Sequence, residues 1–122
     1  MGNALHKQIN PEPVARFSEG DLQENSGVCV LINGMQVAVF YLPAETPAVY
    51  ALSNWDPIGK ANVLYRGIVG DVNGELVVAS PLYKQHFSLV TGRCLEEDNV
   101  QVPAYQVRLE DDTVIVSLQP LL

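Results

Sequence analysis

Apolar residues in this chain fall in short runs rich in Val, Ile, Leu, Tyr and Phe, and turn residues cut off each run before it reaches helical length. Runs dominated by β-branched and aromatic side chains predict strands. Segments 27–32 and 35–41 flank Asn33-Gly34, a dipeptide that accepts the positive φ angles of a type I′ turn, so they predict a hairpin. Segments 67–72 and 75–79 flank Asn73-Gly74 in the same way, and 105–109 faces 113–118 across the acidic turn Glu110-Asp111-Asp112. A further strand is predicted at 49–52. The only helical signal is one turn over 18–22 with Ser18 as its N-cap. Regularly spaced strands with Gly-containing turns predict an all-β fold, an antiparallel sandwich or small barrel.

The ends of the chain read differently from this middle. Positions 1–13 are polar and close with Pro11 and Pro13, which predicts a flexible arm. The domain is expected over 14–118. Positions 119–122 are expected to form a tail, because Pro120 has no N–H to give to a sheet ladder. At 122 residues the chain suits a single domain that buries roughly two-thirds of its unfolded-state surface.

Composition narrows the function classes. Apolar residues make up 48% of the chain, yet no run approaches the ~18 residues that would span a bilayer, so a membrane is not an expected partner. Gly2 would suit a myristoylation signal, but His6 stands where Ser or Thr is needed, and no secretory pattern appears, so the expected location is cytoplasmic. Seven basic against fourteen acidic residues give a net charge of -7, which repels phosphate backbones and argues against nucleic acid.

Cys29 and Cys94 are expected to be reduced thiols, with Cys29 a buried small hydrophobe inside 28–32. His6 and His86 are the only imidazoles, and neither has the neighbours of a nucleophilic triad or the spacing of a metal site. No catalytic or metal-binding residue is therefore expected.

Two loops carry the strongest signal. Ser80-Pro81-Leu82-Tyr83-Lys84-Gln85-His86-Phe87-Ser88-Leu89-Val90-Thr91-Gly92 resembles the second cluster-binding loop of Rieske iron-sulfur proteins, C-P-x-H-G-x-x-F-x-x-x-T-G. Pro81, Phe87, Thr91 and Gly92 keep the scaffold, while Ser80 stands for the cysteine, Tyr83 for the histidine and Lys84 for the glycine after it. Ala51-Leu52-Ser53-Asn54-Trp55-Asp56-Pro57-Ile58-Gly59 is similar to the first loop, with Ala51, Asn54 and Gly59 at family positions, Asp56 for the cysteine and Ile58 for the histidine. A Rieske centre needs two thiolates and two imidazoles. Ile58 has no donor atom, and a carboxylate with two hydroxyls does not replace the thiolates. The expected role of Ile58 and Tyr83 is to fill the space of the cluster, and that of Asp56 and Ser80 is to hydrogen-bond the loop turns.

The chain is also similar to the small-subunit family of cytoplasmic NADH-dependent nitrite reductases, through 54–57, 74–82, Lys84-Gln85 and Phe87. That resemblance implies a Rieske-like fold, no cofactor in this chain, and a large-subunit partner carrying FAD, siroheme and an iron-sulfur cluster that reduces nitrite to ammonium. It also implies an accessory role in nitrogen metabolism. Because the two loops carry the aromatic residues Trp55 and Tyr83, the loop tip is expected to dock on the partner through Asn54, Trp55, Asp56, Pro57, Ile58, Gly59, Ser80, Pro81, Leu82, Tyr83 and Lys84. Trp55 reads equally as a docking anchor or a core residue. Two other readings stay open, a Rieske 2Fe-2S ferredoxin delivering electrons and an unrelated binding module on the same scaffold.

Overall fold

A computed structural model describes residues 14–121; the expected arm at 1–13 lies outside the described residues. Eleven strands follow in chain order: β1 (Val14–Ser18), β2 (Ser26–Ile32), β3 (Met35–Tyr41), β4 (Val49–Ser53), β5 (Trp55–Asp56), β6 (Ala61–Asn62), β7 (Ile68–Val72), β8 (Glu75–Ala79), β9 (His86–Ser88), β10 (Ala104–Glu110) and β11 (Thr113–Pro120). Short 3-10 turns lie at Glu19–Asp21 and Leu64–Arg66, the first capped by the Ser18 hydroxyl, which accepts from the Gly20 N–H. The all-β expectation holds. No helix among the described residues is long and apolar enough to cross a membrane.

The expected hairpins form because their turns are chemically specified. Asn33 and Gly34 take φ of 51° and 79°, and Asn73 and Gly74 take 53° and 90°, the left-handed values of a two-residue hairpin turn. The third hairpin is tighter than expected: Glu110 pairs with Thr113, leaving Asp111 and Asp112 as the turn. Strand β11 also runs past 118. Pro120 lies opposite Tyr105 where the register shifts between Tyr105 and Gln106, and proline is tolerated at such an irregularity. The next residue, Leu121, donates its N–H to the Ala104 carbonyl at 2.9 Å.

Six strands form one antiparallel sheet in the order β1-β11-β10-β4-β3-β2, and β7-β8-β9 form a second. The central strands β3 and β4 are apolar on both faces, as strands covered on both sides must be. One face puts Val37, Val39, Val49 and Ala51 into a core with Tyr105, Val114 and Val116. The other puts Ala38, Phe40, Tyr50 and Leu52 against Leu64, Val78, Phe87 and Leu89, which fastens the small sheet to the large one. Gly92 (φ +81°) permits a close crossing there, since a Cβ would lie 2.0 Å from the Val102 carbonyl oxygen.

Cys29 departs from expectation. Strand alternation sends Val28 and Val30 toward the core and turns Cys29 outward, where it is exposed. Cys94 is buried, and loss of hydration, only partial at Cys29, raises the thiol pKa of both.

Candidate functional site

Strand β4 ends at Ser53 and delivers Asn54 into the first loop, where the side chain is fully buried. The Asn54 N–H donates to the Gln36 carbonyl (3.0 Å), Nδ2 donates to Gln36 Oε1 (3.0 Å), and Oδ1 accepts from the Tyr65 N–H (2.7 Å). The Asn54 carbonyl also accepts from the Leu64 N–H at 3.1 Å. One residue thus ties the loop to β3 and to the 3-10 turn above it.

The two loops then repeat one construction. In the first, Asp56 Oδ1 accepts from the N–H groups of Ile58 (2.8 Å) and Gly59 (2.9 Å), Pro57 follows it, and the Lys60 N–H closes back on the Asp56 carbonyl at 2.7 Å. In the second, Ser80 Oγ accepts from the Leu82 N–H (3.3 Å), Pro81 follows, and the Lys84 N–H closes on the Ser80 carbonyl at 3.1 Å. Both closing lysines are left-handed, Lys60 at φ 59° and Lys84 at φ 68°. Lys84 therefore holds the conformation natural to the glycine it replaces in the family pattern. In the first loop the left-handed position is Lys60, one residue beyond Gly59.

A single bond joins the pair. The Ser80 hydroxyl donates to Asp56 Oδ2 at 2.5 Å, and both residues are fully buried. Leu82 of the second loop lies over Gly59 of the first, so closely that a Cβ on Gly59 would sit 2.5 Å from Leu82 Cδ1 and 2.9 Å from Asp56 Oδ2.

These contacts sort the expected docking residues into two groups. Asn54, Asp56 and Ser80 are fully buried and cannot touch a partner, because a polar group at a loop base must spend its hydrogen bonds on the loop itself. Ile58 is half-buried and packs on the core, as a space-filler would. Tyr83 fills no such space: it is 65% exposed. Trp55 and Leu82 are each 44% exposed, which settles Trp55 as a surface residue. Pro81 and Lys84 are exposed, while Pro57 and Gly59 are half-buried. Lys60, absent from the expected set, is exposed too. Its signal was the shared spacing of Asp56-Pro57-x-x-Lys60 and Ser80-Pro81-x-x-Lys84. Gln36 and Tyr65, which secure Asn54, have no counterpart signal in the sequence.

The donor set does not fit a 2Fe-2S cluster. Ile58 offers no ligand atom, and the Asp56 and Ser80 oxygens that would face the iron are bonded to one another. His86 lies outside the tip, with Nδ1 2.6 Å from Glu96 Oε2 and its N–H donating to Glu96 Oε1 at 2.8 Å. Burial pushes the Glu96 carboxyl up, but the His86 backbone N–H and imidazole outweigh it and the net shift is downward.

The model of the Rieske-like 2Fe-2S domain family matches residues 13–117. The NADH nitrite reductase small subunit of Salmonella typhimurium is 45% identical over 94 residues, covering 77% of this chain and 86% of that protein. The NAD(P)H nitrite reductase large subunit of Klebsiella oxytoca is 39% identical over 101 residues, which are 83% of this chain but 10% of that protein. Among solved structures, the NAD(P)H nitrite reductase small subunit of Erwinia carotovora superposes with a TM-score of 0.67 at 42% identity, covering 83% of this chain and 77% of that one.

Proposed function

The chain belongs to the Rieske-like family of NADH nitrite reductase small subunits, and from that premise we propose that its paired loops are the surface that engages the large subunit. The chain is the small subunit of an oxidoreductase complex and pairs with the large one. We propose that it acts in the cytoplasm, that FAD, siroheme and iron-sulfur centre reside in the large subunit that reduces nitrite to ammonium, and that this chain relays no electrons.

The observation that carries the docking reading is the exposure of Trp55, Leu82 and Tyr83 on loops held rigid by the Asp56–Ser80 bond. Large aromatic side chains presented on a preorganised frame bury much area at little entropy loss. The Klebsiella oxytoca large subunit carries a segment homologous to this chain within its own polypeptide. That covalent arrangement supports a stable, one-to-one pairing. The electron-carrier reading meets an obstacle in chemistry, since the tip lacks thiolates and imidazoles.

The test is co-purification of full-length small subunit with its large subunit, comparing wild type with Trp55→Ala/Tyr83→Ala. The double variant should keep its melting temperature and lose most of its retention. Retention equal to wild type by a folded variant would remove the tip from the interface.

A further inference from the structure

We infer that Lys60 and Lys84 form a paired cationic rim around the apolar tip and that it recognises a carboxylate-rich patch on the large subunit. This rests on the docking reading above and adds the chemistry of the partner surface. The protein carries a net charge of -7, yet the loop segments 54–60 and 80–85 contain one acidic residue, Asp56, which is buried and bonded to Ser80. Against it stand two exposed lysines, one closing each loop. Among the described residues neither lysine makes a salt bridge, whereas Arg108 is paired with Glu110. The two loop segments thus carry an excess of positive charge in a chain whose net charge is -7. Such a chain is repelled by an acidic partner surface except where the tip faces it, so charge would select the docking orientation as well as speed encounter.

The backbone supports a role for these side chains beyond folding. Lys60 and Lys84 occupy left-handed conformations in which a glycine would sit without strain. A purely structural closing residue would favour glycine there, and the loop keeps lysine at both equivalent places. The twin geometry also sets one exposed lysine at the close of each loop, in the same two loops that carry the exposed Trp55, Leu82 and Tyr83 and that the Asp56–Ser80 bond joins. An apolar centre with a charged rim is the arrangement of a steered interface.

The experiment measures association and dissociation rates of the full-length chain with its large subunit across a sodium chloride series. Wild-type association should fall steeply with salt. Lys60→Glu/Lys84→Glu should slow association at low salt by about tenfold or more and flatten that salt dependence. Trp55→Ala/Tyr83→Ala should instead speed dissociation and leave the salt slope in place. Lys60→Gly/Lys84→Gly guards against misfolding, because it removes the charge while relieving the backbone: it should hold or raise the melting temperature and still slow association. Unchanged association in the lysine variants, with binding lost in the aromatic variant, would overturn the rim and leave the docking surface standing. Unchanged binding in both sets would overturn the two together.

Discussion

Ser80 Oγ and Asp56 Oδ2 lie 2.5 Å apart across 24 positions of sequence, and their hydrogen bond fastens one loop of the tip to the other. In the family pattern these two positions hold cysteines, so a side-chain bond stands where a shared metal would join the loops. The carboxyl group of Asp56 accepts three donors in all, two from its own loop and one from Ser80.

Ser80→Ala removes the donor and leaves Asp56 Oδ2 buried without it. We expect a loss of about 1–3 kcal/mol in urea unfolding of the full chain. Asp56→Ala should cost more, since the Ile58 and Gly59 N–H groups also lose their acceptor. The double variant should be less destabilised than the sum of the singles, by a coupling of about 0.5–3 kcal/mol. Strict additivity would show that the two side chains act independently.

Gly59→Ala should destabilise through overpacking, by about 1–3 kcal/mol, because its Cβ would collide with Leu82 Cδ1 and Asp56 Oδ2. The Leu82 contact is made by the end of a flexible side chain. Adding Leu82→Ala to Gly59→Ala should therefore restore part of the loss, read as a recovered denaturation midpoint. No recovery would place the penalty on the contacts that remain, Asp56 Oδ2 and the Cβ of residue 82.

Local chemistry made much of this fold legible. Asn33-Gly34 and Asn73-Gly74 declare their turns within a few residues, and the hairpins followed. The loop spacing through Pro81, Phe87, Thr91 and Gly92 likewise identified the tip. Burial was another matter, because it depends on partners distant in sequence. Asn54 is hydrogen-bonded to Gln36 and Tyr65, and Asp56 to Ser80, so their place in the tip loops suggested a docking surface they do not form, although the expectation that Asp56 and Ser80 hydrogen-bond the loop turns holds. Cys29 erred the opposite way: an apolar run on a strand says which residues alternate but not which set faces inward. Strands as short as β5 and β6 have too few residues to show a period at all.

The Glu96 carboxyl, held below its ordinary value of 4.5, gives a pH prediction. A depressed carboxyl contributes stability that is full above its unfolded pKa and is lost as pH falls through the lowered folded value. Acid unfolding should therefore be eased below about pH 4.5 in part through this group. Because His86 and Glu96 are 35% and 44% exposed, solvent screening keeps the effect under about 1 kcal/mol. Glu96→Gln should lower stability slightly at neutral pH and flatten the acid limb of a stability–pH curve; an unaltered limb would exclude the pair as a contributor.

The relation between the loops also predicts what restoring the family's donors would do. Asp56→Cys, Ile58→His, Ser80→Cys and Tyr83→His place two thiols at the buried centre of the tip, one imidazole at the half-buried position of Ile58 and one at the exposed position of Tyr83. Lys84→Gly should accompany them, because φ of 68° suits glycine without altering the loop path. The apo form of this variant should be less stable than the wild type, having lost the Asp56–Ser80 bond that fastens the loops. Anaerobic reconstitution with iron and sulfide should then produce the visible absorption of a 2Fe-2S centre and recover the lost melting temperature, since the metal would refasten the loops. Absorption without thermal recovery would mean that the inter-loop bond contributes little to the fold. Neither signal would mean that the loop spacing, and not only the ligand set, has departed from that of cluster-binding relatives.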